Sequence, residues 1–239
     1  MTLHLSYFVP PPPHVEARER GLLDGIEVIE SRAAGSPAQL AGLLAGELDV
    51  VVTAIDNLFE WTRDGADVRL VAQVERTTPL GVFAGSGVES LRDLHGRRFA
   101  VDAVANGFAL VARYLLRQAK ADVDYLEVGG VEQRYDALLA GAVDATLLGP
   151  PFDGHARASG QRELASVQQM FPAFPGQGLV VRGDLVGDEE LSRYLSALWQ
   201  SGLVEVEPDG LDTLTGIRDE LGLLPEGADL RALLMRPLR

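Results

Sequence analysis

The chain has 239 residues, 46% of them hydrophobic, and a formal net charge of −14, which suits one large α/β domain or two smaller lobes. This acidic balance argues against nucleic acid and anionic membranes as partners, because both are bound through clustered Lys and Arg. The chain has no cysteine and four scattered histidines, so disulfides, thiol nucleophiles and the usual metal-ligand spacings are absent. We therefore expect no metal and no cofactor.

The first part of the chain alternates between predicted strands and helices. Strands are predicted at 3–9, 26–30, 50–54, 68–74 and 80–84, and helices from Pro13 to Gly21, from Ser36 to Gly46 and after Asn57. Ser36 followed by Pro37 is typical of an N-cap and a first helical position. Asp56 or Asn57 is expected to cap the helix that follows the third strand.

The pattern then starts again and later returns. After a helical turn at 90–96, strands are predicted at 98–101, 123–128, 145–149 and 163–168, with helices at 108–119, 131–140 and 152–159. A crossover at 171–176 leads to a strand at 178–182 and to helices at 185–202, 209–221 and 228–235. No chemical motif is visible in these last helices.

One motif occurs twice. Residues 43–49 read Leu-Leu-Ala-Gly-Glu-Leu-Asp and residues 138–144 read Leu-Leu-Ala-Gly-Ala-Val-Asp, and each is followed by a short apolar run. Gly46 and Gly141 stand where a left-handed residue would end a helix. The repeat predicts two similar α/β lobes, with Asp49 and Asp144 as structural turn residues before a buried strand.

The alternation of strands and helices predicts an α/β fold of two lobes, each a mostly parallel sheet with flanking helices. We expect residues 1–78 in lobe 1, 79–172 in lobe 2, and 173–239 back in lobe 1 with the C-terminal helices. The crossovers would lie near 77–84 and 170–178. In open α/β sheets, ligands bind outside the carboxyl ends of the strands.

The order of several motifs resembles one family. These motifs are the opening strand that ends at Tyr7-Phe8 before a run of prolines, the Ser36 helix into Leu-Ala-Gly-Glu-Leu-Asp49, the strand into Asp56-Asn57, Ser90-Leu-Arg-Asp-Leu-His-Gly96, Arg134-Tyr-Asp-Ala-Leu-Leu-Ala-Gly141, and Pro150-Pro151-Phe152. Over residues 1–183 they resemble the substrate-binding proteins of ABC transporters for nitrate, taurine, sulfonates and thiamine precursors. The resemblance implies the two-lobed type II periplasmic-binding-protein fold, a small-molecule ligand in the cleft between the lobes, and an ABC permease as partner.

The strand-end rule selects the candidate ligand-binding residues, and Arg134 is added because it lies early in the helix that follows Gly130. They are Tyr7, Phe8, Pro11, Ser36, Ile55, Asp56, Asn57, Asp102, Asn106, Gly107, Phe108, Gly130, Arg134, Pro151 and Phe152. Each polar candidate other than Arg134 has an alternative role as a helix cap. Arg134 is otherwise expected to be a solvated arginine, and each aromatic candidate a core residue. Converging aromatic rings would favour an aromatic body on the ligand, and Arg134 could pair with a ligand carboxylate. The two aspartates make a strongly anionic ligand less favoured.

A competing hypothesis is a cytoplasmic, cofactor-free enzyme on the same fold. It would act as a lyase of the dehydratase or decarboxylase type on a small cyclic or aromatic acid, with Asp56, Asp102 or His14 as the acid or base. His14 is otherwise expected to be a polar surface residue. The N-terminus has no signal-peptide pattern and no apolar run has transmembrane length, which predicts a cytoplasmic protein without membrane insertion, or a periplasmic or extracellular one if the natural chain begins earlier.

Overall fold

A computed structural model describes residues 2–105 and 107–235. The described residues form two compact units. Unit 1 comprises the described residues within Met1–Thr77, Pro175–Leu211 and Pro225–Arg239. Unit 2 comprises those within Thr78–Phe174 and Asp212–Leu224. Residues 212–224 thus belong with unit 2, whereas the sequence analysis assigned them to the first lobe. The reason is that the contacts of this segment with unit 2, such as that of Arg218 with the Ala105 carbonyl, join residues far apart in the sequence.

The elements alternate along the chain. In order they are β1 (Leu3–Tyr7), α1 (Pro12–Glu19), β2 (Val28–Arg32), α2 (Ser36–Ala45), β3 (Val50–Thr53), α3 (Asn57–Arg63), β4 (Val68–Gln73), β5 (Gly81–Ala84), β6 (Arg98–Val101), α4 (Ala109–Gln118), β7 (Asp124–Glu127), α5 (Val131–Leu139), β8 (Ala145–Leu148), α6 (Phe152–Ala158), β9 (Arg162–Ser166), α7 (Val167–Met170), β10 (Gly178–Arg182), α8 (Glu189–Trp199) and α9 (Pro208–Leu221). Short 3₁₀ helices lie at Leu91–Leu94, Gly183–Leu185 and Leu230–Leu233. The helix predicted at 228–235 was wrong, since this segment forms only the last of these 3₁₀ turns.

Each unit is built on a five-stranded sheet, and the two sheets have the same topology. Their strand orders are β2-β1-β3-β10-β4 and β7-β6-β8-β5-β9. In unit 1, β1 is parallel to β2 and β3, and β10 is antiparallel to β3 and β4. In unit 2, β6 is parallel to β7 and β8, and β5 is antiparallel to β8 and β9. One strand in five therefore runs against the others, which confirms the predicted mostly parallel sheets.

The repeated motif occupies equivalent places in the two sheets. Gly46 and Gly141 have left-handed φ values of 71° and 67° and follow the ends of α2 and α5. A carboxylate oxygen of Asp49 accepts from the backbone N–H of His4 at 2.9 Å, and one of Asp144 accepts from the N–H of Arg98, also at 2.9 Å. The prediction that both aspartates are structural is confirmed.

Each of these aspartates connects three strands at the sheet edge where the parallel strands begin and the antiparallel strand ends. The backbone N–H of Asp49 donates to His4 and its carbonyl accepts from Arg182, while Asp144 donates to Arg98 and accepts from Gly85. Asp144 also forms an ion pair with the Arg98 guanidinium, and its pKa is lowered, chiefly by that hydrogen bond. The repeat thus fixes the register at which β3 and β8 enter their sheets.

The core of each unit is apolar and lies against its sheet. In unit 1, buried residues of β1, β3, β4 and β10 pack with Leu191, Tyr194 and Leu198 of α8. In unit 2, Phe83 and Leu148 pack with Leu138 of α5. The strands β3 and β8 are buried throughout, as expected for central strands that are covered on both faces.

Candidate functional site

In unit 1, buried amide side chains gather at the carboxyl ends of β1 and β3. Gln39 of α2 donates from Nε2 to the carbonyls of Ser6 and Val52, at 3.3 and 3.2 Å. Asn57 donates from Nδ2 to Oγ1 of Thr53 at 2.7 Å. Gln39 and Asn57 are each about 1% exposed, so any hydrogen-bonding atom they leave unused is costly unless a ligand or water takes it up.

Three buried polar atoms on α2 and α3, the helices before and after β3, do remain unused. Oε1 of Gln39, Oδ1 of Asn57 and Nε1 of Trp61 have no hydrogen-bond partner among the described residues. Two are acceptors and one is a donor. Since most buried polar groups in native structures are paired, this edge of unit 1 retains hydrogen-bonding capacity for a polar molecule.

The neighbouring candidates in unit 1 are all buried. Ser36, Ile55 and Asp56 are each 2% exposed or less. The helix begins at Ser36 with Gly35 as its N-cap, so the prediction of Ser36 as N-cap was wrong by one residue. Asp56 is the N-cap of α3 by position, but its side chain makes no capping hydrogen bond; its carboxylate is therefore not explained by helix capping.

The candidates at the end of β1 serve the structure of unit 1. The Tyr7 hydroxyl donates to Oε2 of Glu30 at 2.7 Å, and the ring belongs to the core. The Phe8 carbonyl accepts from Arg32 at 2.9 Å. Pro11 is the N-cap of α1, where its carbonyl accepts from the backbone N–H of His14. Each bond uses one hydrogen-bonding position of its group, and the ligand-binding role of these three residues stays a prediction.

His14 is fully buried, so its prediction as a surface residue was wrong. Its Nε2 lies 2.8 Å from Nη2 of Arg18, and its Nδ1 lies 2.9 Å from the Tyr194 hydroxyl. An arginine can only donate, so Nε2 is the unprotonated nitrogen and Nδ1–H donates to Tyr194. Burial, and then the charge of Arg18, lower the pKa of His14 to about 4. A neutral imidazole held in the core is a packing residue.

In unit 2, Asp102 and Arg134 come together at the carboxyl end of β6. Nη1 of Arg134 lies 3.7 Å from Oδ1 of Asp102, and its Nη2 donates to the Leu147 carbonyl of β8 at 3.3 Å. Arg134 is only 9% exposed, so the interpretation of this residue as a solvated arginine was wrong. Burial lowers the pKa of this guanidinium and the Asp102 charge opposes that effect. Its Nε is buried without a partner among the described residues.

The loop after β6 is held by three charged side chains from three different elements. Glu127 of β7 accepts from the Val104 backbone N–H at 3.0 Å, and Arg113 of α4 donates to the Val104 carbonyl at 2.8 Å. Arg218 of α9 donates to the Ala105 carbonyl at 3.3 Å and is fully buried. The loop beside Asp102 is therefore fixed by the C-terminal part of the chain as well as by its neighbours.

The remaining candidates in unit 2 shape helix starts. Gly107 has a left-handed φ of 65° just before α4, whose N-cap is Phe108. Gly130 is the N-cap of α5 and Pro151 that of α6. The Phe108 ring packs against Phe174 and the Phe152 ring against Tyr135, with centroids 5.9 and 5.5 Å apart. Asn106 lies outside the described residues.

Two polar residues beside the candidate site escaped the sequence analysis. Gln39 had a weak local signal, because it stands three residues after Ser36 and shares the buried face of α2 with Leu43. Arg218 had none, because its partner Ala105 lies 113 residues away in the sequence.

Neither a metal site nor a membrane span is found in the described part of the chain. Residues 2–105 and 107–235 contain no group of three or more His, Cys, Asp or Glu that could hold a metal ion. Over the same ranges no helix combines the length and apolarity needed to cross a membrane.

Solved structures share this fold. The ligand-binding component of an ABC-type import system from Staphylococcus aureus, with zinc bound, aligns with a TM-score of 0.77 over 99% of this chain and 97% of that chain, at 14% identity. The alkanesulfonate-binding protein SsuA from Xanthomonas axonopodis pv. citri, bound to MOPS, aligns with a TM-score of 0.74 over 98% of each chain, at 17% identity. PhnD1 from Prochlorococcus marinus, in complex with methylphosphonate, aligns with a TM-score of 0.68 over 93% of this chain and 98% of that chain, at 15% identity.

These likenesses establish the fold of periplasmic binding proteins. No curated protein matches the sequence. Residues 19–202 match the family described as NMT1/THI5 like, and the chain belongs to that family. The sequence-based resemblance is therefore confirmed at the level of family and fold.

Proposed function

We propose that this chain is the ligand-binding component of an ABC-type import system and that it holds a small polar organic molecule at the carboxyl ends of its strands. Family membership over residues 19–202 and the fold support this role. An ABC permease is then the expected partner. Contact of one ligand with both units, which the sequence predicted, stays a prediction.

One observation carries the proposal: buried polar atoms with unused hydrogen-bonding capacity lie at the carboxyl ends of strands in each unit. In unit 1 these are the amide oxygens of Gln39 and Asn57, with the indole N–H of Trp61 one turn further along α3, and in unit 2 the Nε of Arg134. Strand carboxyl ends are where open α/β sheets bind ligands. A ligand that completes these hydrogen bonds would remove a desolvation cost of about 1–3 kcal/mol for each group.

The same atoms indicate the chemistry of the ligand. The amide oxygens of Gln39 and Asn57 call for N–H or O–H donors. Arg134 and Trp61 call for acceptors, and a carboxylate, sulfonate or phosphonate oxygen would suit the guanidinium. Because Asp102 already offsets the Arg134 charge at 3.7 Å, we infer a ligand that is neutral or carries a single negative charge. Full dianions are disfavoured.

The enzyme alternative gains no support from the candidate acids and bases. His14 is enclosed in the core with a pKa of about 4, and Asp102 is paired with Arg134. Asp56 remains as a buried carboxylate at a strand end. Turnover of a bound compound is the result that would revive this alternative.

A calorimetric binding screen tests the proposal. The wild-type protein is titrated with MOPS, methylphosphonate, nitrate, benzoate and an aminopyrimidine, and the tightest binder is titrated again into Arg134→Gln and Gln39→Met. We expect at least one substitution to weaken binding about tenfold or more, as for the loss of a buried hydrogen bond to a charged or amide group. Weakening by both would mean that one ligand contacts both units. Arg92→Gln is the matched control, because Arg92 is an exposed arginine that lies before the amino-terminal end of β6.

Two outcomes would contradict the proposal. The first is wild-type affinity in both substituted proteins, because the ligand would then lie elsewhere. The second is chemical conversion of the bound compound, which indicates an enzyme. The presence of a permease gene and an ATPase gene beside this one would support transport.

A further inference from the structure

Unit 2 contains a concave region that the proposed function does not use. It is a cavity of about 410 Å³ formed by the end of α4, the following turn, β7 and the end of α9. Three of its lining residues are cations, namely Arg113, Arg117 and Lys120, and one is a carboxylate, Asp122. Such an excess of positive charge stands out on a chain whose formal net charge is −14.

Lys120 occupies a backbone position that normally selects glycine. Its φ is +56°, and it is the only non-glycine residue with a positive φ within residues 2–105 and 107–235. It is also the only lysine in the chain. At comparable helix ends the chain has Gly46, Gly141 and Gly222, with φ values of 71°, 67° and 70°. A lysine side chain is thus kept where glycine would be less strained, and such strain is often found at functional sites.

The three cations retain unused hydrogen-bonding capacity. Arg117 donates to the Glu220 carbonyl at 2.6 Å, and Arg113 donates to the Val104 carbonyl at 2.8 Å. A guanidinium has five N–H donors, so each keeps others. The side chain of Lys120 is exposed and forms no ion pair or hydrogen bond within the described part of the chain. Cations near a helix C-terminus can simply complement its dipole, but Arg117 already does so, and this leaves the strained Lys120 unexplained.

We propose that this cavity binds a small multivalent oxyanion, through ion pairs from Lys120, Arg117 and Arg113. Its volume lies in the range of about 300–1,000 Å³ that is typical of small-molecule sites, which suits an organic phosphate or a polycarboxylate. The Tyr125 ring lies 5.9 Å from the Arg113 guanidinium. Burial raises the pKa of Tyr125 to about 12, so its hydroxyl keeps its proton at neutral pH and can donate to the anion.

Titration calorimetry at low salt with pyrophosphate and with citrate tests this proposal. We expect saturable one-to-one binding of at least one anion to the wild-type protein. Lys120→Gly should weaken it about tenfold, as for the loss of one charge-assisted contact, whereas Lys120→Arg should retain it. Because Lys120→Gly also relieves a left-handed backbone, its melting temperature without anion should stay the same or rise by about 2–4 °C.

Arg92→Gln is the charge-matched control, since Arg92 is an exposed arginine of unit 2 that does not line the cavity. Tighter binding of pyrophosphate would identify a phosphoryl ligand, and tighter binding of citrate a carboxylate ligand; either supports the site. The proposal is overturned if neither anion binds at millimolar concentration. It is equally overturned if Lys120→Gly weakens binding threefold or less, or no more than Arg92→Gln. These results are independent of the strand-end ligand.

Discussion

Replacement of His14 by glutamine is expected to remove a large part of the acid sensitivity of unit 1. The imidazole is enclosed between α1 and α8, with Arg18 donating to Nε2 and Tyr194 next to Nδ1. Glu30 also faces it, with Oε2 3.4 Å from Nε2. Protonation would place N–H⁺ against the Arg18 guanidinium inside the core. The folded protein therefore resists protonation at His14, and the unfolded chain does not.

The size of this effect follows from the two pKa values. In the unfolded chain His14 titrates near its ordinary value of 6.5, and in the folded protein near 4. Since the folded value is the lower one, the His14 contribution is fully present above about pH 6.5 and is lost as the pH falls towards 4. At about 1.4 kcal/mol for each pKa unit, the total loss is about 3 kcal/mol. About 2 kcal/mol of it falls between pH 7 and pH 5.

Urea denaturation of both proteins at pH 7 and pH 5 measures this difference. Trp61 and Trp199, the two tryptophans of the chain, both lie in unit 1, so their fluorescence reports on the unit that holds His14. Groups other than His14 titrate equally in both proteins and cancel. We expect the wild-type protein to lose about 2 kcal/mol more than His14→Gln over this range. Equal losses in the two proteins would refute the reasoning.

Three further predictions concern the sheets, the loop and the crossover. Asp144→Ala should lower the free energy of unfolding of unit 2 by about 1–3 kcal/mol in calorimetry, because a backbone N–H and a guanidinium lose their acceptor. Arg218→Met should speed amide hydrogen exchange at Ala105 and its neighbours, because it releases a carbonyl that holds the loop. Gly176→Ala should lower the free energy of unfolding by about 2–3 kcal/mol in thermal melts, since a Cβ there would lie 2.0 Å from the Glu75 carbonyl oxygen. Gly154→Ala is the control: its Cβ would meet no atom within 4 Å on α6, so this substitution should raise the free energy of unfolding by about 0.5–1 kcal/mol.

Matched variants separate these effects from general damage. Asp136→Asn on the exposed side of α5 should leave the calorimetric transition unchanged, and a loss equal to that of Asp144→Ala would contradict the strand-linking role. Arg117→Met removes a bond to the Glu220 carbonyl of α9 but none to the loop. Equal exchange at Ala105 in the two arginine variants would therefore contradict the role given to Arg218.

Features with a local cause could be predicted from the sequence. The helix stops at Gly46 and Gly141 were predicted because a left-handed residue needs only itself and the preceding turn. The buried strands that follow were predicted from short apolar runs, which are also a local feature of the sequence. Asp49 and Asp144 were recognised as structural from their repeated position, although the strands they connect became visible only in the structure.

Features that depend on distant partners could not be predicted. His14 looked like a surface residue because the group that makes its burial tolerable, the Tyr194 hydroxyl, lies 180 residues away. Arg134 looked like a solvated arginine until Asp102 and the Leu147 carbonyl were placed beside it. The fold therefore followed from turns and periodicity, whereas the roles of the polar residues depended on pairings that no local pattern encodes.

The two sheets have the same topology, but their antiparallel strands are synthesised at opposite times, first in unit 2 and last in unit 1. In unit 2 the antiparallel strand β5 is made first, and the strands that flank it, β8 and β9, follow within the same stretch of chain. In unit 1 the equivalent strand β10 is made last, after all five strands of unit 2. β10 lies between β3 and β4 in the finished sheet. Until β10 emerges from the ribosome, β3 and β4 each have an unpaired edge where β10 will later lie, and unpaired strand edges promote aggregation. A nascent chain that has emerged from the ribosome only as far as Gly178 would thus carry all five strands of the unit 2 sheet and an interrupted sheet in unit 1.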